Sequence, residues 1–122
     1  MIRKTLALLL FAGIAAVVAA AAFGRGAATP TLTGTVGPGF TISLKENGKS
    51  VKTLKAGTYK LMVNDKASIH AFSLDGPHGY AVDFTKVPYV GVKIFTVHWK
   101  AGAYKFYCPP HESMMFGHFK VT

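Results

Sequence analysis

The sequence predicts an all-β protein, a Greek-key β-sandwich of seven to eight strands that follows an N-terminal apolar segment. Three observations support this fold class. Apolar residues alternate with polar ones in several short stretches, which is the period of a half-buried strand. Turns rich in Gly, Pro and Asn separate these stretches, and no stretch after residue 30 has a helical period. With 122 residues, half of them hydrophobic, the chain has the size of one domain plus an apolar leader.

The N-terminal segment has the pattern of an export signal. Arg3 and Lys4 form a positive start, and residues 6–23 are uncharged and rich in Leu and Ala, with small residues following at 27–28. The apolar run is also just long enough to span a bilayer. We therefore expect residues 1–28 to be a signal peptide or an N-terminal membrane anchor, and residues 29–122 to form the exported domain. Its compartment would be the periplasm, the outer face of the cytoplasmic membrane or the exterior.

The charge of the chain is strongly basic but dispersed. The formal net charge is +9, and from Thr29 onward eleven lysines face five acidic residues, which leaves +6. These lysines occur singly along the sequence, which is more typical of a solvated surface than of a nucleic-acid interface. We expect no nucleic-acid partner. The charge is compatible with an acidic docking partner or an anionic membrane surface.

The positions of the strands along the chain follow from the alternating stretches and from the turns that separate them. Asn47-Gly48 is a strong hairpin signal between the first two stretches. An immunoglobulin-type disulfide is impossible, because Cys108 is the only cysteine. An antiparallel sandwich without a disulfide is therefore the expected architecture. The strands are expected at residues 40–44, 50–54, 59–63, 69–74, 80–84, 92–99, 104–108 and 117–122.

The loop that follows residue 107 gathers three kinds of soft or borderline metal ligand. Cys108 is followed by His111, Met114 and Met115 in a stretch too short for a helix. A lone thiol in an exported domain needs either inert burial or metal ligation. A thiolate, an imidazole and a thioether at one point favour copper above other metals.

The parity of the strands indicates which distant side chain can join this loop. In strand 104–108, Cys108 shares a face with Phe106 and opposes Lys105, so we expect the thiol to point inward. In strand 69–74, His70 shares its face with Phe72 and is expected to point inward as well. A histidine on an apolar face is usually a core residue, but an inward cysteine and a second histidine at the same end favour ligation. The remaining histidines are expected on the surface: His78, His98 and His118.

This loop resembles the copper loop of the cupredoxins, the blue-copper electron carriers that include plastocyanin and amicyanin. The resemblance implies one type 1 copper ion bound by His70, Cys108, His111 and an axial methionine. Met115 precedes Phe116-Gly117 in a Met-x-Gly pattern that resembles the start of the last strand in this family. Met114, with the spacing of the shortest such loop, is the alternative. Relatives often have Asn where this chain has Ala71, so a hydrogen bond between the two ligand loops must be absent or replaced.

The resemblance implies an exported, monomeric one-electron carrier that is not an enzyme. Its redox partners would dock near His111, and membrane attachment would use residues 6–23. Tyr107 resembles a second exit for the electron, or is an ordinary strand tyrosine. An extracytoplasmic copper carrier or chaperone, or a metal-free β-sandwich interaction module, are the alternatives. The expected docking patch is apolar and consists of Pro77, Pro110, Met114 and Phe116.

Overall fold

The computed structural model describes residues 28–122, so the predicted signal or anchor at residues 1–28 lies almost wholly outside the described residues. In this part of the chain no helix is both long enough and apolar enough to cross a membrane. Two single 3₁₀ turns lie at Pro77–Gly79 and Pro109–His111. The ten strands are β1 (Thr31–Val36), β2 (Ile42–Glu46), β3 (Lys49–Ser50), β4 (Thr53–Leu54), β5 (Gly57–Asp65), β6 (Ser73–Asp75), β7 (Ala81–Asp83), β8 (Gly91–Trp99), β9 (Gly102–Tyr107) and β10 (Phe116–Val121).

The strands form two five-stranded sheets that pack face to face. The first sheet has the order β3-β2-β1-β5-β8, and the second has the order β4-β10-β9-β6-β7. Most neighbouring strands are antiparallel, but β1 pairs with β5 and β4 pairs with β10 in parallel. The two sheets therefore meet as a sandwich whose inner faces supply the core.

The core between the sheets is apolar and rich in aromatic rings. Leu32, Leu61 and Val63 project from the first sheet and are fully buried. From the second sheet and the loop before it, the rings of Phe72 and Phe106 stack with centroids 6.1 Å apart and planes inclined by 3°. Burial of large apolar side chains contributes roughly 1.5–3 kcal/mol for each one, so this layer holds the two sheets together.

The predicted all-β sandwich is confirmed, with three differences in detail. Ten strands form instead of seven or eight, because the 50–54 stretch divides into two short strands and Thr31–Val36 adds another. The sheets are mixed instead of antiparallel, since alternation reveals which face is buried but not which strand lies alongside. The predicted strand 69–74 begins only at Ser73, because residues 68 and 69 form a turn.

The sandwich has two ends that carry different parts of the chain. At the upper end of the first sheet Val36 pairs with Asp65, and Asp65 pairs in turn with Gly91. In the other sheet Tyr107 pairs with Phe116 at the same end. At the lower end lie the start of β1, the end of β8, the start of β9 and the end of β10. The loops that matter for the site all lie at the upper end.

Candidate metal centre

The loop between β9 and β10 is closed by backbone hydrogen bonds at the upper end. The Cys108 N–H donates to the Met115 carbonyl over 3.0 Å, and the Met115 N–H donates to the His111 carbonyl over 2.9 Å. The His111 N–H donates to the Cys108 carbonyl over 3.0 Å. Pro109 and Pro110 fix two φ angles in the 3₁₀ turn that follows Cys108. This loop is therefore short and rigid, and it holds Cys108 and His111 at fixed separation.

His70 reaches the same end from a turn that precedes β6. Its side chain is fully buried, and its N–H donates to the Ala67 carbonyl over 3.2 Å. The predicted inward position of His70 is confirmed, but the residue lies outside any strand, so strand alternation is not its cause. Gly37 packs against the ring: a Cβ at this glycine would lie 2.9 Å from His70 Cδ2. The turn and this close approach orient the imidazole.

Three ligand atoms from these residues converge on one point. The Nδ1 atoms of His70 and His111 lie 3.3 Å apart, and Cys108 Sγ lies 3.8 Å from the first and 3.7 Å from the second. A point equidistant from all three lies about 2.1 Å from each atom, close to the ~2.0–2.3 Å of metal bonds to imidazole and thiolate. The triangle therefore fits one transition-metal ion, and within the described part of the chain these three residues form a group that could hold one.

The environment of the three ligands is dry on the cysteine side and open on the other. Cys108 and His70 are fully buried, whereas His111 is only partly buried. Nε2 of His70 is buried and has no hydrogen-bond partner among the described residues. Histidine ligands usually donate their second N–H to an oxygen, so here packing orients this ring instead. His111 is the residue through which the candidate site meets the surface.

The two methionines of the loop differ sharply in burial. Met115 exposes 1% of its surface, whereas Met114 exposes 65%. Met115 is also tied to the site by its backbone bonds to Cys108 and His111. A thioether needs a fixed position to serve as an axial ligand, so the burial favours Met115. The following Gly117 has no room for a side chain, because a Cβ there would overlap the ring of Phe106.

Two backbone hydrogen bonds connect the segment after His70 to its surroundings. They matter because this chain has Ala71 where relatives often have Asn. The Ala71 N–H donates to Cys108 Sγ over 3.4 Å, which links the two ligand loops directly. The Phe72 N–H donates to Thr85 Oγ1 over 2.9 Å, and this threonine exposes 1% of its surface. With Ala at position 71, the backbone N–H of this residue still links the two ligand loops through the Cys108 sulfur.

Phe40 belongs to the site but was assigned to a strand by the sequence pattern. It lies in the loop between β1 and β2, and its ring meets both imidazoles edge-on, with centroids 5.5 Å from His70 and 5.0 Å from His111. Half of its surface is exposed. Its position after Pro38-Gly39 was the one local sign that it leaves the strand. The ring partly shields the two imidazoles from water.

Other predicted residues lie as expected or far from the centre. His78, His98 and His118 are exposed, as predicted. Pro77 does not belong to an apolar patch around His111, because it packs against Gly102 at the lower end of β9. The strand register places that glycine five residues before Tyr107, at the opposite end of the strand.

Tyr107 is half-buried beside Cys108 and takes part in a polar network. Its hydroxyl donates to Asp75 Oδ1 over 3.1 Å. Burial raises the pKa of Tyr107 to about 12, helped by this hydrogen bond and by the nearby negative charges. Lys105 and Glu112 form an ion pair of 2.8 Å on the same side. The tyrosine is thus held in place as a neutral donor at ordinary pH.

The sequence matches no protein-family model and no curated protein. Solved structures give a clear likeness. Rusticyanin from Thiobacillus ferrooxidans is 26% identical with a TM-score of 0.52, and 80% of each chain is covered. Reduced rusticyanin is 24% identical with a TM-score of 0.54, covering 80% of this chain and 82% of the other. A structure described as the copper protein rusticyanin is 21% identical with a TM-score of 0.57, covering 80% of each chain. The described part of this chain has the cupredoxin fold of rusticyanin.

Proposed function

We propose that this protein is a mononuclear type 1 copper protein that carries single electrons between redox partners. The observation that carries the proposal is the triangle formed by Cys108 Sγ and the Nδ1 atoms of His70 and His111. Two imidazoles, a thiolate and a weak thioether are the ligand set of blue-copper sites. The named likeness to rusticyanin, a copper protein, supports the same metal.

The residues around the centre suit a metal that changes charge with little movement. Bound there, copper supplies a one-electron couple between Cu(II) and Cu(I). His70 and Cys108 are held on a buried scaffold, and the Ala71 N–H stabilises negative charge on the sulfur. Met115 would supply the axial sulfur. Because the loop is closed by backbone bonds, the ligands need not rearrange when an electron arrives.

The surface around His111 is suited to brief contacts with redox partners. Phe40, Met114 and Phe116 are exposed and apolar at the upper end, where His111 is partly buried. Small, weak interfaces suit partners that must separate quickly. Partner proteins would dock there and exchange the electron through the His111 ring. No general acid, base or nucleophile arrangement is part of this role, so the protein acts as a carrier and not as an enzyme.

The decisive experiment is a titration of the purified metal-free protein with Cu(II), followed by visible spectroscopy and voltammetry. We expect an intense thiolate-to-copper band at one ion per chain and a reversible one-electron couple. Cys108→Ser should lose the band while its far-ultraviolet spectrum stays that of a β-protein. A protein that binds copper without this band, or without a reversible couple, is a copper carrier instead. One that binds no copper contradicts the proposal altogether.

Export is the remaining part of the proposal. Its support is the positive start and the uncharged run at residues 6–23. Fractionation of cells that express the full chain, with mass measurement of the mature protein, tests it. A domain retained in the cytoplasm with its N-terminus intact contradicts export. The measured mass also distinguishes a cleaved signal from a retained anchor.

A further inference from the structure

The charge of the described domain is divided unevenly between its two ends. The upper half contains four lysines and four acidic residues, which cancel: Lys66, Lys86, Lys93 and Lys105 against Asp65, Asp75, Asp83 and Glu112. In the lower half Glu46 is the one acidic residue, so this half carries the whole net charge of +6. The lysines of this lower half are Lys45, Lys49, Lys52, Lys55, Lys60, Lys100 and Lys120.

Exposed apolar side chains follow the opposite distribution. All the large hydrophobic residues that are strongly exposed within the described range lie in the upper half. They are Phe40, Ile69, Val87, Val90, Val92, Ile94, Met114 and Phe116. The domain therefore has an apolar, electrically neutral end around the metal centre and a basic, polar end opposite to it. The two ends are suited to different kinds of partner.

The chain enters the domain at its basic end. Strand β1 starts at Thr31 opposite Lys60 and finishes at the upper end, where the next residue, Gly37, approaches His70. The uncharged run at residues 6–23 is thus joined to the lower end through residues 24–30, which span about 25 Å at most. Arg25 adds a further positive charge beside this run. Any membrane contact made by the N-terminal segment places the lysines near the same bilayer.

A recess at this end carries hydrogen-bond donors suited to an anionic headgroup. It has a volume of 240 Å³, and its polar lining includes His78, His98 and Lys100 with no carboxylate. Thr58 Oγ1 lies 2.7 Å from His98 Nδ1 and fixes that ring. Tyr80 accepts the Trp99 indole N–H over 3.0 Å, so its own hydroxyl hydrogen is free to donate. A lipid phosphate would find cationic and neutral donors here.

We propose that the basic lower end is a docking surface for an anionic lipid bilayer, and that docking turns the metal centre away from the membrane. Basic residues near an anionic leaflet each contribute about fivefold to binding, and the attraction extends over a Debye length of about 8 Å at physiological salt. The lower end meets this requirement, whereas the upper end has no net charge to offer. The proposal does not depend on which metal the protein binds.

The first test uses the full chain in nanodiscs and mass-spectrometric footprinting of its amines. With phosphatidylcholine containing phosphatidylglycerol, we expect Lys55, Lys100 and Lys120 to be protected relative to nanodiscs of phosphatidylcholine alone. The labelling of Lys66 and Lys86 at the upper end should not change. Equal labelling in both lipids, or protection of the upper lysines, would overturn the proposal.

The second test separates the domain's own contribution from that of the N-terminal segment. Among the described residues the buried core extends from Leu32 to Val121, so the test uses the stretch 28–122, and its fold is checked by its β-type circular dichroism. We expect it to sediment with vesicles containing phosphatidylglycerol, but not with neutral vesicles, and to be released by 1 M salt. Sedimentation with both kinds of vesicle would indicate apolar insertion of the upper end and overturn the proposal.

Matched variants assign the binding to one end at constant net charge. One variant replaces three lower lysines (K55Q, K100Q, K120Q) and the other three upper lysines (K66Q, K86Q, K93Q), and all six side chains are exposed. We expect the first to weaken vesicle binding on the order of 100-fold and the second to change it little. Equal losses would show a response to total charge alone and contradict a defined docking surface.

Discussion

Individual residues of the metal centre could be predicted to the extent that they lie close together in the chain. Cys108, His111 and Met115 share one loop, so their ligand chemistry was visible as a motif. His70 lies 38 residues before Cys108, and its inward position was inferred from a strand that the structure does not form there. The side chain of His70 does point inward, but from a buried turn instead of a strand. The alternation of side chains indicates which residues point inward only where the residues actually form a strand.

The burial of Met115 favours this residue over the exposed Met114 as the axial ligand. Met115→Leu should change the visible spectrum and raise the reduction potential, because removing a sulfur donor and leaving hydrocarbon disfavours the more highly charged Cu(II). The substitution conserves volume, so the loss of stability should stay below about 1.5 kcal/mol. Spectra and voltammetry of the copper-loaded variants measure this.

Met114→Leu is the matched control, since that side chain is 65% exposed. It should leave both the spectrum and the potential unchanged. If Met114→Leu shifts them and Met115→Leu does not, the axial assignment is reversed.

Phe40 could not be recognised from the sequence, because its role arises from a contact between separate loops. Its ring lies against both imidazoles. Phe40→Ala should therefore admit water and chelator to the site, and accelerate copper loss to a chelator roughly tenfold, at the low end of effects seen for groups that surround metal ligands. Stopped-flow absorbance of the blue band measures the rate.

Phe116→Ala provides the comparison for this experiment. Phe116 is exposed to a similar degree, but its ring contacts Lys105 and His118 instead of the ligands. Copper loss from this variant should match that of the parent protein. Equal acceleration in both variants would mean that Phe40 does not shield the site.

Among the secondary-structure elements, alternation located most strands but not their neighbours. The stretches at 59–63, 92–99 and 117–122 all became strands. The parallel pairs, β1 with β5 and β4 with β10, were missed because side-chain period says nothing about strand direction. Both pairings join strands that are far apart in the sequence, so a local pattern does not contain them.

The hydrogen bond between the loop before β6 and the segment after β7 should contribute measurably to stability. Thr85 is buried and accepts a hydrogen bond from the Phe72 N–H. Thr85→Val keeps the shape but leaves that N–H buried without a partner, so the free energy of unfolding should fall by about 1–3 kcal/mol. Urea denaturation of the metal-free protein measures the change.

Thr96→Val on β8 controls for the loss of a threonine hydroxyl in general. That side chain is exposed, so the free energy of unfolding should change by less than about 0.5 kcal/mol. A similar loss in both variants would indicate that the bond from Phe72 is not what stabilises this region.

At the scale of the whole molecule, folding creates a polarity that the sequence does not display. The lysines occur singly along the chain, a pattern that indicates a solvated surface and allows an acidic partner or an anionic membrane, but does not indicate where on the molecule such a contact would lie. The strand registers bring seven of them to one end and leave the apolar residues at the other. A charge distribution of this kind depends on topology, since residues far apart in sequence share an end. If both proposals hold, it separates the surface for electron exchange from the surface for membrane docking.

If electrons leave through the apolar upper end, two copies of the protein should exchange electrons by bringing these ends together. Met114→Lys places a charge in this contact on both copies, so the self-exchange rate should fall about tenfold at low salt through repulsion and desolvation. Restoring part of the rate in 1 M salt, where the Debye length is about 3 Å, would identify the repulsive share. Line broadening in the NMR spectra of mixtures of oxidised and reduced protein measures the rate.

Thr53→Lys is the control, because it adds the same charge at the lower end and should leave the self-exchange rate nearly unchanged. If that variant slows exchange as much as Met114→Lys does, electrons do not leave through the upper end alone.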